Sequence, residues 1–224
     1  MTVRTARRAD PHSPDDAGMT LIELLVAMGI FVTVIAVFMS GVVLMTKDAA
    51  RAAGVSDATT TARRVLDRFD KQVRYSVGVN RPGFGPSGAY YVEFMVPSQT
   101  AGATPVCIQW QFNPTADTIS VRTWTDSLLT PMPSGWNPVA TNVRNNVTTE
   151  LPFVFIAADG NAGHQKLTVT LDIGVASRPG AKVSATYAAR NTAQVGPGSQ
   201  TNAENTPPDG QSKNPVCRTG VGRP

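Results

Sequence analysis

Metal-binding and nucleophile–base chemistry have little to draw on in this chain. Its only histidines are His12 and His164, and its only cysteines are Cys107 and Cys217. C-x-x-C, G-x-S-x-G and P-loop spacings are all missing. A zinc site, a nucleophile elbow and a Walker-type phosphate cradle are therefore not expected, and the sequence assigns no catalytic residue, cofactor or metal. Charge of one sign is scarce too. The formal net charge is +4 over 224 residues and the basic residues are scattered, so no nucleic-acid partner is expected. Proline is absent from Met19 to Asn80, which leaves that stretch free to be one helix.

What is present is a long apolar run. Met19 to Thr46 reads MTLIELLVAMGIFVTVIAVFMSGVVLMT, 28 residues in which Glu23 is the only charge. At a rise of about 1.5 Å per residue such a helix is about 42 Å long, more than the roughly 30 Å hydrocarbon core of a bilayer. The run is too long for a signal-peptide core, and no A-x-A-like site follows it. Residues 1–18 form a polar leader with Arg4, Arg7 and Arg8, which favours a cytoplasmic amino terminus, although Lys47 and Arg51 at the other end weaken the bias. A carboxylate inside such a run is costly, and that makes Glu23 a functional candidate in need of a partner.

Helical periodicity continues past the run. Val55, Ala58, Ala62, Val65, Leu66, Phe69, Val73 and Val77 recur every three or four residues, one face of a helix. One helix of about 60 residues is expected, apolar all round over 19–46 and amphipathic over 47–80, with Gly29, Ser40-Gly41 and Gly54 as weak points. RPGFGPSG (81–88) then breaks it. Gly83, Gly85 and Gly88 have dinucleotide-loop spacing, but a loop is the better account because the order is helix, loop, strand.

From Ala89 the pattern is that of strands: 89–96, 105–112, 118–124, 151–157, 166–174 and 182–190. The second and third read as a hairpin through NPTAD, and Asp159-Gly160 marks a further turn. An α+β domain is expected over 81–190, an antiparallel sheet covered by the apolar face of the helix. Trp110, Trp124 and Trp136 are read as core or sheet-face residues, and His164 as a solvated loop residue. Residues 191–224 lack aromatics and carry five glycines and five prolines; alone they cannot bury enough surface to fold, so a mostly irregular tail is expected. In an exported domain Cys217 could pair with Cys107 and tether that tail, closing a loop worth roughly 4–5 kcal/mol in the entropic model.

Taken together, Gly18-Met19 followed by Thr20-Leu21-Ile22-Glu23, the apolar run, the amphipathic extension and the β-rich end resemble the type IV pilin and pseudopilin family. Its signature is glycine, a hydrophobic residue, three further residues and glutamate. The resemblance implies that a prepilin peptidase cuts after Gly18 on the cytoplasmic face and methylates the new amino terminus at Met19. It also implies that Glu23 pairs with the amine of a neighbouring subunit during filament assembly, because a misplaced subunit would leave a charge buried alone. Met19 stands where phenylalanine is usual, and Ser40-Gly41 lies near the place of the family's helix-kinking proline. The segments 150–163 and 166–175, then SRPG and the strand closing in Arg190-Asn191, are similar to J-type pseudopilins and W-type minor pilins.

The chain is thus identified as resembling a minor pilin or pseudopilin, a structural subunit rather than an enzyme. Its implied partners are other pilins, prepilin peptidase, an inner-membrane assembly platform and membrane lipid. Its implied location is the cell membrane, single-pass with the globular domain outside the cytoplasm, and then a pilus or a type II secretion-like pseudopilus. The alternative is a membrane-anchored extracellular ligand-binding or enzymatic domain, for which Glu23 would be dispensable.

Overall fold

The computed structural model describes residues 19–98, 102–126, 131–158, 163–175, 179–192, 215–217 and 221–224. The chain divides into two compact units, residues 1–49 and 50–224. Helix α1, Leu21–Arg74, contributes to both. It runs unbroken through Gly29, Ser40-Gly41 and Gly54.

In the first unit the apolar side chains of α1 have no cover. Leu21, Ile22, Phe31, Val37, Phe38 and Met45 are all more than 60 % exposed. The hydroxyls in this half are satisfied within the helix: Thr33 donates to the Gly29 oxygen at 2.9 Å and Ser40 to the Ala36 oxygen at 2.8 Å. Such back-bonding suits a helix surface that faces no water. The most apolar window of α1 has a mean hydropathy of 2.7, and α1 is long and apolar enough to cross a membrane.

In the second unit the expected stripe is the buried face. Ala58, Ala62, Val65, Leu66, Phe69 and Val73 are the buried residues of α1. They pack on sheet A, built from β1 (Gly78–Val79), β2 (Gly83–Phe84), β3 (Tyr90–Val96), β4 (Val106–Asn113), β5 (Thr118–Thr125) and β6 (Asn137–Thr141). Its order is β1-β3-β4-β5-β6, with β2 also pairing β3, and every pairing is antiparallel. The β4–β5 hairpin turns on Asn113, whose Oδ1 accepts from the amides of Thr115 and Ala116, an Asx turn. A second antiparallel sheet, sheet B, has the order β7-β8-β9, with β7 Phe153–Ile156, β8 Lys166–Ile173 and β9 Ala181–Ala188. Leu167, Val169, Leu171 and Ile173 of β8 join the same core as sheet A and α1. Phe69 is its centre. Its ring lies 4.0 Å from Trp110 of sheet A and 5.7 Å from Phe153 of sheet B.

The α+β expectation holds, with corrections. Among the described residues nine strands form two sheets, not one, and β1, β2 and β6 had no sequence signal. The helix ends at Arg74 rather than near residue 80. Three contacts end it there. The Val77 amide donates to the Met95 oxygen, the Arg190 amide to the Arg74 oxygen, and Asn191 Nδ2 to the Tyr75 oxygen. Sheet pairing and a cap from Arg190-Asn191 thus replace the last expected helical turn. The described tail residues, 215–217 and 221–224, are irregular as expected, and the Cys107–Cys217 bond together with side-chain contacts holds them on sheet A. The Asp159-Gly160 turn lies outside the described residues.

Two consequences of this packing are measurable. Phe69→Ala opens a cavity between both sheets and α1 and should cost about 3–5 kcal/mol in the urea unfolding of the detergent-solubilised chain. Tyr187 on β9 has its pKa pushed up to about 12, first by burial and then by the carboxylates of Asp70 and Asp67 on α1. The unfolded phenol titrates near pH 10 (about). Its contribution to stability is therefore complete below that pH and is lost as pH rises toward the folded value. Tyr187→Phe should flatten the fall in stability over that interval, measured by urea unfolding across the alkaline range.

Candidate functional site

The sequence candidates fall in two places. The first is the start of α1. Gly18 lies outside the described residues, and Met19 is exposed just ahead of the helix. Thr20 is the N-cap: its Oγ1 accepts from the Glu23 amide at 3.4 Å, and its carbonyl oxygen accepts from Glu23 and Leu24 at 3.1 and 3.2 Å. Glu23 is the third residue of the helix, exposed, and the only acid of the first turn. Thr20-Leu21-Ile22-Glu23 is the S/T-x-x-E pattern of a capping box, a signal present in the sequence that the assembly reading of Glu23 had passed over. A carboxylate there also faces the positive end of the helix dipole, worth about 0.3–1 kcal/mol at an exposed site.

The second place is the outer face of sheet A. Cys107 of β4 is joined to Cys217, with a Cα–Cα distance of 5.8 Å, and both residues are buried with Trp124. Beside them lies a polar network absent from the sequence reading. Glu93 pairs with Arg223 at 2.7 Å, each side chain only 7 % exposed. Gln109 donates to Glu93 at 2.8 Å and accepts from Arg122 Nε at 2.6 Å. Burial pulls the Arg122 guanidinium below its ordinary pKa, partly offset by Tyr91 and Glu93, and the group lies 4.4 Å from the Trp136 ring centroid. A sequence signal for this network existed in part: Glu93 and Arg122 are charges at interior positions of two apolar strands, and such charges need partners.

The remaining candidates stay apart from both places. Trp110 is in the core and donates to Gln72 at 3.0 Å, while His164 is exposed and bonds the Thr192 oxygen through Nδ1 at 2.8 Å. Gly83 falls in β2, and Gly85 meets the main-chain oxygens of Arg223 and Pro224 where a Cβ would stand, so Gly85 makes room for residues 223–224. A cavity of about 380 Å³ between the body half of α1 and the end of β8 has Asp57 as the only ionisable residue among its described lining residues. Among the described residues no group of three or more histidine, cysteine, aspartate or glutamate side chains could hold a metal ion. Comparison with protein-family models, with curated proteins and with solved structures finds no match to this chain.

Proposed function

We propose that this chain is a minor pilin or pseudopilin, a structural subunit stored in a membrane by the first half of α1 and assembled into a pilus or a type II secretion-like pseudopilus. One observation carries the reading: Glu23 stands five residues after Gly18 at the head of a helix whose next two dozen residues are apolar and uncovered. A helix surface of this kind has two natural covers, lipid and other helices of its kind. In this reading prepilin peptidase cuts between Gly18 and Met19 and methylates Met19. The amine it creates and the Glu23 carboxylate are then the only charges in the apolar segment, and assembly brings the carboxylate of one subunit to the amine of another. The β-rich unit stays outside the cytoplasm, and the partners are other pilins, the peptidase, an inner-membrane assembly platform and lipid. The extracellular side also suits the disulfide.

Intact-mass and amino-terminal analysis of the protein from its own cells tests the processing step. A chain beginning at N-methylated Met19 is expected; one beginning at residue 1, or cut beyond Thr46, would sink the proposal and favour a merely anchored domain. Two variants then separate assembly from helix capping. Glu23→Gln retains a capping-box side chain but no charge, and Glu23→Ala retains neither. Both should be cleaved normally and both should be missing from sheared filaments. Incorporation of Glu23→Gln at the wild-type level would show that Glu23 serves only to cap the helix.

A further inference from the structure

The outer face of sheet A holds residues 221–224 much as a groove holds a peptide. The Glu93 carboxylate receives Arg223 Nε and Nη2 at 2.8 and 2.7 Å. Gln109 Nε2 and Arg122 Nη2 both donate to the main-chain oxygen of Gly222 at 3.1 Å. The hydroxyls of Ser87 and Tyr91 both donate to the main-chain oxygen of Pro224 at 2.6 Å. Val221, from the same segment, packs with Val216 and Met95 on the cluster of Cys107, Trp124 and Cys217. The two sulfur-bearing residues are 0 % and 3 % exposed. A thiol therefore cannot reach the bond while the segment is seated.

We propose that residues 221–224 form a strap that guards a redox latch, with the Arg223–Glu93 ion pair as its catch. Thiol access to the Cys107–Cys217 bond requires the strap to lift locally, not the domain to unfold. The reactant class is a dithiol. Its thiolate attacks one sulfur, the S–S bond breaks, and a mixed disulfide forms. The second thiol of the reagent then resolves it. The reagent leaves as a disulfide, having supplied two electrons and two protons, and Cys107 and Cys217 remain as thiols. Exchange with an oxidised dithiol runs the same steps in reverse and closes the latch. The closed state keeps Glu93 and Gln109 covered, and the open state exposes them. The inference stands whether or not the chain assembles into filaments.

The test is the rate at which dithiothreitol reduces the full chain in detergent micelles, followed by alkylation and mass. Glu93→Gln and Arg223→Ala each loosen the catch and leave both cysteines in place; each should speed reduction by about tenfold or more. Asp172→Asn is the control, because it breaks the Arg144–Asp172 pair on sheet B and weakens the domain away from the strap. Its rate should stay within about twofold of the wild type. Catch variants that reduce at the wild-type rate would overturn the proposal. So would a control that speeds up as much as they do, since reduction would then pass through loss of the whole domain. Hydrogen exchange on the wild type adds a readout that needs no variant. Reduction should deprotect the Val216 amide, which donates to Asn80 Oδ1, and leave the paired amides of β4 and β8 protected; loss of protection across both sheets would count against the strap.

Discussion

Tyr91, Val92, Glu93 and Phe94 are all buried on one strand. Successive side chains of a strand point to opposite faces, so sheet A must be covered on both sides, and the rest of the second unit follows from that requirement. One face carries Val92, Phe94, Trp110 and Phe112 and takes the stripe of α1. The other carries Glu93, Cys107, Gln109 and Arg122, and takes the end of the chain. Apolar area drives the first cover, at about 25 cal/mol per Å². The second is held by a covalent bond and a buried ion pair. A buried pair of this kind adds little against a well-packed apolar substitute, yet loss of one partner costs about 3–5 kcal/mol because the other charge is left buried. The second face is thus held by directed polar contacts: Glu93 accepts from both Arg223 and Gln109.

Helix α1 answers to two surroundings with one secondary structure. Its first half leaves large apolar side chains exposed, while Thr33 and Ser40 turn their hydroxyls back onto the helix. Its second half confines burial to a stripe, and charges flank that stripe: Arg74 bonds Asp70 at 2.7 Å, and Arg68 lies 5.5 Å from the Trp110 ring centroid. The change of pattern near Lys47 was readable because a helix apolar all round and a helix lying on a sheet distribute the same apolar residues differently.

Local periodicity explains what could be read from the sequence, and long-range pairing what could not. The stripe from Ala58 to Val73 announces itself through spacings of three to four, and six of the strands through runs rich in β-branched and aromatic residues. Their grouping into two sheets does not, because Phe153 and Trp110 carry no mark of which sheet they join until Phe69 lies between them. The helix end was overrun although Gly78 follows Arg74 closely; Val73 and Val77 kept the helical spacing, and the carbonyl of Met95 outcompeted it. For the tail the sequence offered only the Cys107–Cys217 tether, whereas its partners Glu93, Gln109 and Tyr91 lie more than a hundred residues away and carry no local mark. For Glu23 the sequence held two messages at once, a capping box and a lone charge in an apolar run, and the exposed N-terminal turn accommodates both.

These long-range contacts converge on the short segment that follows α1. The Val216 amide donates to Asn80 Oδ1, and Val216 packs so closely on Gly78 that any Cβ there would collide with it. Arg223 Nη2 donates to the Arg81 oxygen at 2.6 Å. The same segment pairs with β3 through Val77 and Asn80 and is capped from the far side by Asn191. Residues 75–81 are therefore held between β3, the end of the chain and the residues after β9. A helix end fixed from three directions has little freedom to fray. The strap on sheet A and the exit of α1 into that sheet accordingly meet on one short segment, residues 75–81, although different contacts set the helix end and cover Glu93.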